Sequence, residues 1–162
     1  MKRRLGASEA DILTTQNNLA MAFRSLGKLE EAQRLRQEVY SGCLKFHGEE
    51  KEATLRAAYN YADTLCELQR FEEAKSLLRR TMPVARRVLG ESHLLSLGMR
   101  GFYAKLLYRD PGATLDDLRE AVTTLEDAKR IARQVFGGAH PSTEEMEVDL
   151  RETRAALRAR EA

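Results

Sequence analysis

One segment recurs along this chain at a fixed spacing, and that period constrains the fold more than any other feature. Gly6, Gly48 and Gly90 lie 42 residues apart, as do Ala20, Ala62 and Ala104. Glu30-Glu31-Ala32 returns as Glu72-Glu73-Ala74 and, 47 residues later, as Arg119-Glu120-Ala121. Self-similarity at such a period denotes a stack of small supersecondary units, each burying its apolar face against its neighbours. A stack of this kind presents a long continuous surface, suited to holding another chain.

The composition fits helices and little else. Charged residues make up 32% and aromatic residues 6%, Trp is absent, and Ala, Leu, Glu and Arg dominate. The 27 basic and 25 acidic residues leave a net charge of +2, too balanced for the basic stripe of a nucleic-acid binder. Cys43 and Cys66 have neither metal-ligand nor redox spacing, so free thiols in a reducing compartment are expected. Met1-Lys2-Arg3-Arg4 leads into no apolar stretch, and no run approaches the roughly 20 apolar residues of a membrane span. A cytoplasmic protein is expected.

The helical period divides the chain 1–162 into a single array: repeats at about 5–46, 47–88 and 89–135, then a capping helix at about 142–160. In the first unit, Ser8 to Leu26 reads as a helix with Ile12, Leu13, Leu19, Ala20, Ala22, Phe23 and Leu26 as its apolar or small residues. Ser8 and Asp11 form a capping box, and Gly27 stands where a left-handed cap is needed. Pro83 falls inside the second helix of its unit and predicts a kink. The extra five residues of the third unit must lie between Ala104 and Arg119, around the turn Asp110-Pro111-Gly112. Ser142 and Glu145 read as a capping box behind Pro141, opening a last helix with Met146, Leu150 and Leu157 on one face. Seven helices result: three antiparallel pairs and a cap. Ala20, Ala62 and Ala104 meet Ala32, Ala74 and Ala121 where paired helices approach. Lys2-Arg3-Arg4-Leu5-Gly6 reads as the tail of a preceding second helix, so a piece of a longer array is expected.

Leu13-Thr14-Thr15-Gln16-Asn17-Asn18-Leu19-Ala20, followed by Leu26-Gly27-Lys28-Leu29-Glu30-Glu31-Ala32, resembles a tetratricopeptide repeat. The 42-residue period and the turns Leu89-Gly90-Glu91-Ser92-His93 and Phe136-Gly137-Gly138-Ala139-His140-Pro141 are similar to the kinesin light chain and nephrocystin type. The resemblance implies an all-α, right-handed superhelical solenoid of antiparallel helix pairs, with the first helix of each pair lining a concave groove. Carried over position by position, it implies groove residues Thr14, Asn17, Asn18, Met21 and Arg24, then Arg56, Tyr59, Asn60 and Asp63, then Gly98, Gly101, Phe102, Lys105 and Arg109. In kinesin light chains an Asn at the place of Asn18 and Asn60 contacts the backbone of a bound peptide, a role suited to an amide that donates and accepts. The third unit has Phe102 at that place and the fourth Asp149.

Other constellations support no enzyme. His47, His93 and His140 lie in separate turns between repeats and are expected to bond neighbouring backbone rather than a metal. Glu30-Glu31, Glu72-Glu73 and Asp116-Asp117 sit early in second helices, where carboxylates favour the helix dipole. Cys43 and His47 lie at a helix end, with no motif for a nucleophile. Arg79-Arg80, Arg86-Arg87 and Lys129-Arg130 interleave with acids and read as a solvated face. Gly98 and Gly101, costly inside a helix, either soften it or leave a cavity for a bulky ligand side chain, walled by Tyr59, Phe102 and Tyr108.

The leading expectation is a non-enzymatic, cofactor-free adaptor binding an extended peptide with acidic and aromatic residues, with no nucleic-acid or membrane partner. Arg56, Lys105 and Arg109 would attract the acidic residues. The alternative is a structural fragment that self-associates through its terminal helices or docks on further repeats through its N-terminal face.

Overall fold

The computed structural model describes residues 8–162. Among them it contains seven α-helices and no strand: α1 (Glu9–Ser25), α2 (Leu29–His47), α3 (Glu52–Glu67), α4 (Phe71–Leu89), α5 (Leu94–Arg109), α6 (Leu115–Phe136) and α7 (Pro141–Glu161). The segment around Lys2-Arg3-Arg4 and Gly6 lies outside the described residues. The chain divides into two compact units, Met1–Arg70 and Phe71–Ala162.

In the first unit, α2 packs on both α1 and α3. The Ser8 hydroxyl accepts from the Asp11 amide while the Asp11 carboxylate accepts from the Ser8 amide, so the expected capping box opens α1. Gly27 closes it in the left-handed region at φ 74°, and the Lys28 amide reaches back to the Phe23 carbonyl. α3 closes identically: the Arg70 amide donates to the Leu65 carbonyl, but the left-handed residue is Gln69, at φ 58°. Val39, Cys43 and Ala57 form a small core, with Leu13 and Tyr40 packed against it. The Gln33 amide donates to the Tyr61 hydroxyl at 3.2 Å.

Not every apolar residue of α1 points inward. Ala20 is its one fully buried residue, whereas Ile12, Leu19, Ala22 and Leu26 are exposed. The helix has two apolar stripes, and the period alone did not separate the one facing α2 from the other.

In the second unit, α5 packs on α4, α6 and α7, and α6 packs on α7. Leu97, Met99, Leu106, Leu107, Leu118 and Leu125 are fully buried. Ala104, Ala121, Ala128 and Ala132 have no exposed surface, so backbones approach closely at these positions. Helix α4 runs on through Pro83. The five extra residues divide: two lengthen the turn before α6, and three lengthen α6 to 22 residues against the 19 of α2 and α4. Lys75 is buried in the fold with its ammonium 2.8 Å from Asp110 and 2.5 Å from Glu72. Asp110 thereby fixes the lengthened turn.

The cap of α7 differs from the sequence expectation. His140 is the N-cap, its Nδ1 accepting from the Ser142 amide at 3.2 Å, and Pro141 takes the first helical position. Ser142 lies inside the helix, because an imidazole one residue before the proline already serves the free amides. His93 caps α5 in the same way, accepting from the Leu95 amide.

Candidate functional site

Helices α1 and α3 of the first unit bring several expected groove residues together. Arg24 of α1 reaches α3, 2.9 Å from the Asp63 carboxylate and also bonded to Glu67. The bond to Glu67 holds the guanidinium more firmly charged than usual. Arg56 pairs with Glu52 one turn before it. From below, Arg36 of α2 donates to the Asn17 side-chain carbonyl. Arg36 is buried, its Nε has no partner, and desolvation lowers its affinity for the proton.

Between α1, α2 and α3 lies an open cavity of about 320 Å³. Leu13, Val39, Cys43 and Ala57 give it an apolar floor, and Thr14, Asn17, His47, Arg56 and Asn60 give it a polar rim. Burial pushes the Cys43 thiol up, so it contributes surface rather than reactivity. Asn18 and Met21, expected beside Asn17, are exposed and lie outside the cavity, and Tyr59 is half-buried. Arg36, Cys43 and His47 were not among the expected residues. They lie on a second helix, and the sequence signal that could have found them is Gly42, one residue before Cys43. A Cβ there would stand 2.6 Å from Leu13, so α1 and α2 approach at this point and α2 enters the floor.

The second unit arranges its expected residues differently. Gly101 does not open a cavity: a Cβ there would meet the Met146 methyl at 3.3 Å, so α7 fills the space. Gly98 has nothing within 4 Å of the same construction. Lys105 lies 3.2 Å from Glu145 and 3.7 Å from Asp149. The Tyr108 hydroxyl donates to Asp149 at 2.9 Å and to Glu152 at 3.0 Å. Asp149 is buried, and desolvation raises its pKa against the opposing bond from Tyr108. Burial and the adjacent carboxylates also push the Tyr108 phenol up. Around Lys105 and Tyr108, then, α7 supplies three carboxylates, two of them at Lys105. Phe102 is half-buried, and Arg109 stands exposed at the end of α5.

His93 and His140 spend Nδ1 on helix caps, and among the described residues no group of three His, Cys, Asp or Glu is placed to hold a metal. No described helix is long and apolar enough to cross a membrane.

Residues 11–87 match the family model described as Tetratricopeptide repeat. Comparison with curated protein sequences gave no match. Among solved structures, the chain is similar to BtubC (BKLC) from P. vanneervenii, with 15% identity and a TM-score of 0.80 over 95% of this chain and 59% of that one. It is also similar to the nearly identical TPR-like repeats of a Podosopora anserina putative kinesin light chain, with 24% identity and a TM-score of 0.76, covering 98% of this chain and 73% of that one. A variant of those repeats gives 23% identity and a TM-score of 0.79 over the same shares. The chain thus spans less than two thirds of the length of BtubC. These likenesses show the fold, an all-α repeat solenoid. Residues 11–87 are thus similar in sequence to tetratricopeptide repeats, and the described chain shares the all-α repeat fold of these kinesin light chain-like structures.

Proposed function

We propose that this protein is a non-enzymatic scaffold that takes an extended peptide on the α1–α3 surface of its first unit. The observation that carries this reading is the cavity of about 320 Å³, with an apolar floor and a rim of two amides, one hydroxyl, one imidazole and one arginine. Such a cavity accepts one apolar side chain while the rim engages the peptide backbone on either side. Asn60 offers both a donor and an acceptor. Arg56, whose partner Glu52 is exposed, can exchange it for a ligand carboxylate. Fold alone does not name a partner, and the repeat family supports only the general scaffold role.

A random peptide library displayed against the protein and against an Asn60→Ala, Ala57→Leu double variant tests the reading. The selected peptides should lose about tenfold or more in affinity for the variant, equivalent to about 1.4 kcal/mol. Peptides that bind both forms equally well would place the binding surface elsewhere.

A further inference from the structure

Arg100 stands where the repeat needs no charge. One period earlier, Ala58 of α3 holds the same place and has no exposed surface. Arg100 of α5 is buried as well, only 9% exposed, and carries a guanidinium into that position. Among the described residues its Nη1 has no hydrogen-bond partner. Its Nη2 lies 3.8 Å from Asp127 of α6, beyond hydrogen-bond distance. In the first repeat the matching residues, Gln16 and Glu38, do meet, at 3.0 Å. Asp127 is a methylene shorter than Glu38 and is turned to Arg130, at 3.2 Å. The charges acting on Arg100 cancel, Arg86 and Arg130 against Asp127 and Glu91, so its own charge is left uncompensated. Desolvation, and then the charge of Arg86, weaken its hold on the proton. A buried cation left without bonds destabilises the fold, and an anion would relieve it.

Arg100 lines a pocket of about 220 Å³ between α4, α5 and α6, all of it within the second unit. Met82 and Pro83 of α4 give the pocket an apolar wall, and Thr124 of α6 gives it a hydroxyl. Its other charged groups are engaged: Arg86 with Glu91, Glu120 with the Tyr103 hydroxyl at 3.0 Å, and Asp127 with Arg130. We propose that this pocket binds a carboxylate carried on a short aliphatic arm, with Arg100 as the residue that receives it. A carboxylate is flat and takes parallel bonds from the two ends of a guanidinium. One oxygen takes Nη2, a turn of the guanidinium brings Nη1 to the other, and the arm lies along Met82 and Pro83. One negative charge balances Arg100. A phosphate monoester carries nearer two, and Glu120 and Asp127 repel the excess. The carboxylate belongs either to a free acid or to an acidic side chain of a partner, which share this chemistry. The inference is independent of the peptide-binding reading, since no residue of the α1–α3 cavity takes part.

Titration of the isotopically labelled full chain, followed by backbone amide and arginine Nε–H chemical shifts, tests it. Sodium butyrate probes the free acid, and N-acetyl-glutamate N-methylamide probes the acidic side chain. The carboxylates should give saturable shifts at Arg100, Arg86 and Thr124 at millimolar concentration, and the tighter of the two names the source. Butyramide, the neutral counterpart, and inorganic phosphate should bind at least about tenfold more weakly. Arg100→Ala copies the place of Ala58, and Arg100→Gln keeps most of the side-chain length without the charge. Each should lose about tenfold or more in carboxylate affinity with an unchanged helical circular dichroism spectrum. The absence of saturable shifts with both carboxylates overturns the inference. So does a folded variant that binds them as well as the parent, or equal binding of butyramide or phosphate.

Discussion

Gln69 holds, in the turn after α3, the place that Gly27 holds after α1, one 42-residue period earlier. Both close their helix in the left-handed region, but a side chain at φ 58° meets the backbone where glycine has nothing to meet. Gln69→Gly should therefore stabilise the fold by about 1 kcal/mol and raise Tm by about 3 °C. A lowered Tm would show that the Gln69 side chain makes a compensating bond. Asp149 makes the opposite kind of residue-scale statement. Its folded pKa is raised, chiefly by burial, so the ionised carboxylate is less at home in the fold than in the unfolded chain. The stability tied to the protonated group is complete below the unfolded pKa and is lost as pH rises through the folded one. Asp149→Asn should accordingly raise Tm near neutral pH, since the amide still accepts from Tyr108. The advantage should shrink as acid protonates the wild-type side chain. A gain that persists unchanged at low pH would place its origin elsewhere.

At the scale of helices, the alternation of small and large residues decides how closely elements approach. Ala62 of α3 has no exposed surface, while Arg80 of α4 is exposed. Ala62→Leu should cost about 1–3 kcal/mol by overpacking, whereas Arg80→Leu should change stability by no more than about 0.5 kcal/mol. Equal shifts in thermal unfolding would reverse the assignment of inner and outer faces. The helices themselves were legible in the sequence because caps and periods are local: Ser8 and Gly27 mark the boundaries of α1 without reference to anything distant. The imidazole cap of α7 was harder to read, since Ser142 and Glu145 supply the same local pattern two residues later. The two stripes of α1 were harder still. Both have helical spacing, and only the packing of α2 shows that Ala20 faces inward and Leu19 outward.

Across the whole chain, nearly equal numbers of acids and bases are matched by local pairing of three of the four cations expected in the groove. Arg24 has Asp63 and Glu67, Arg56 has Glu52, and Lys105 has Glu145 and Asp149. The sequence showed which cations stand on first helices, but their partners come from other helices or from one turn away, and pairing is a property of the fold. The same holds for Gly101, whose space is taken by Met146, a residue 45 positions later. The α1–α3 cavity is open, and it carries the central claim. Amide chemical-shift mapping with a selected peptide, on the isotopically labelled full chain, tests that claim most directly. The account predicts that the largest shifts fall on Thr14, Asn17, Arg56, Ala57 and Asn60. Shifts concentrated instead on the exposed side of α2, at Arg34 and Gln37, with none around the cavity, would contradict it.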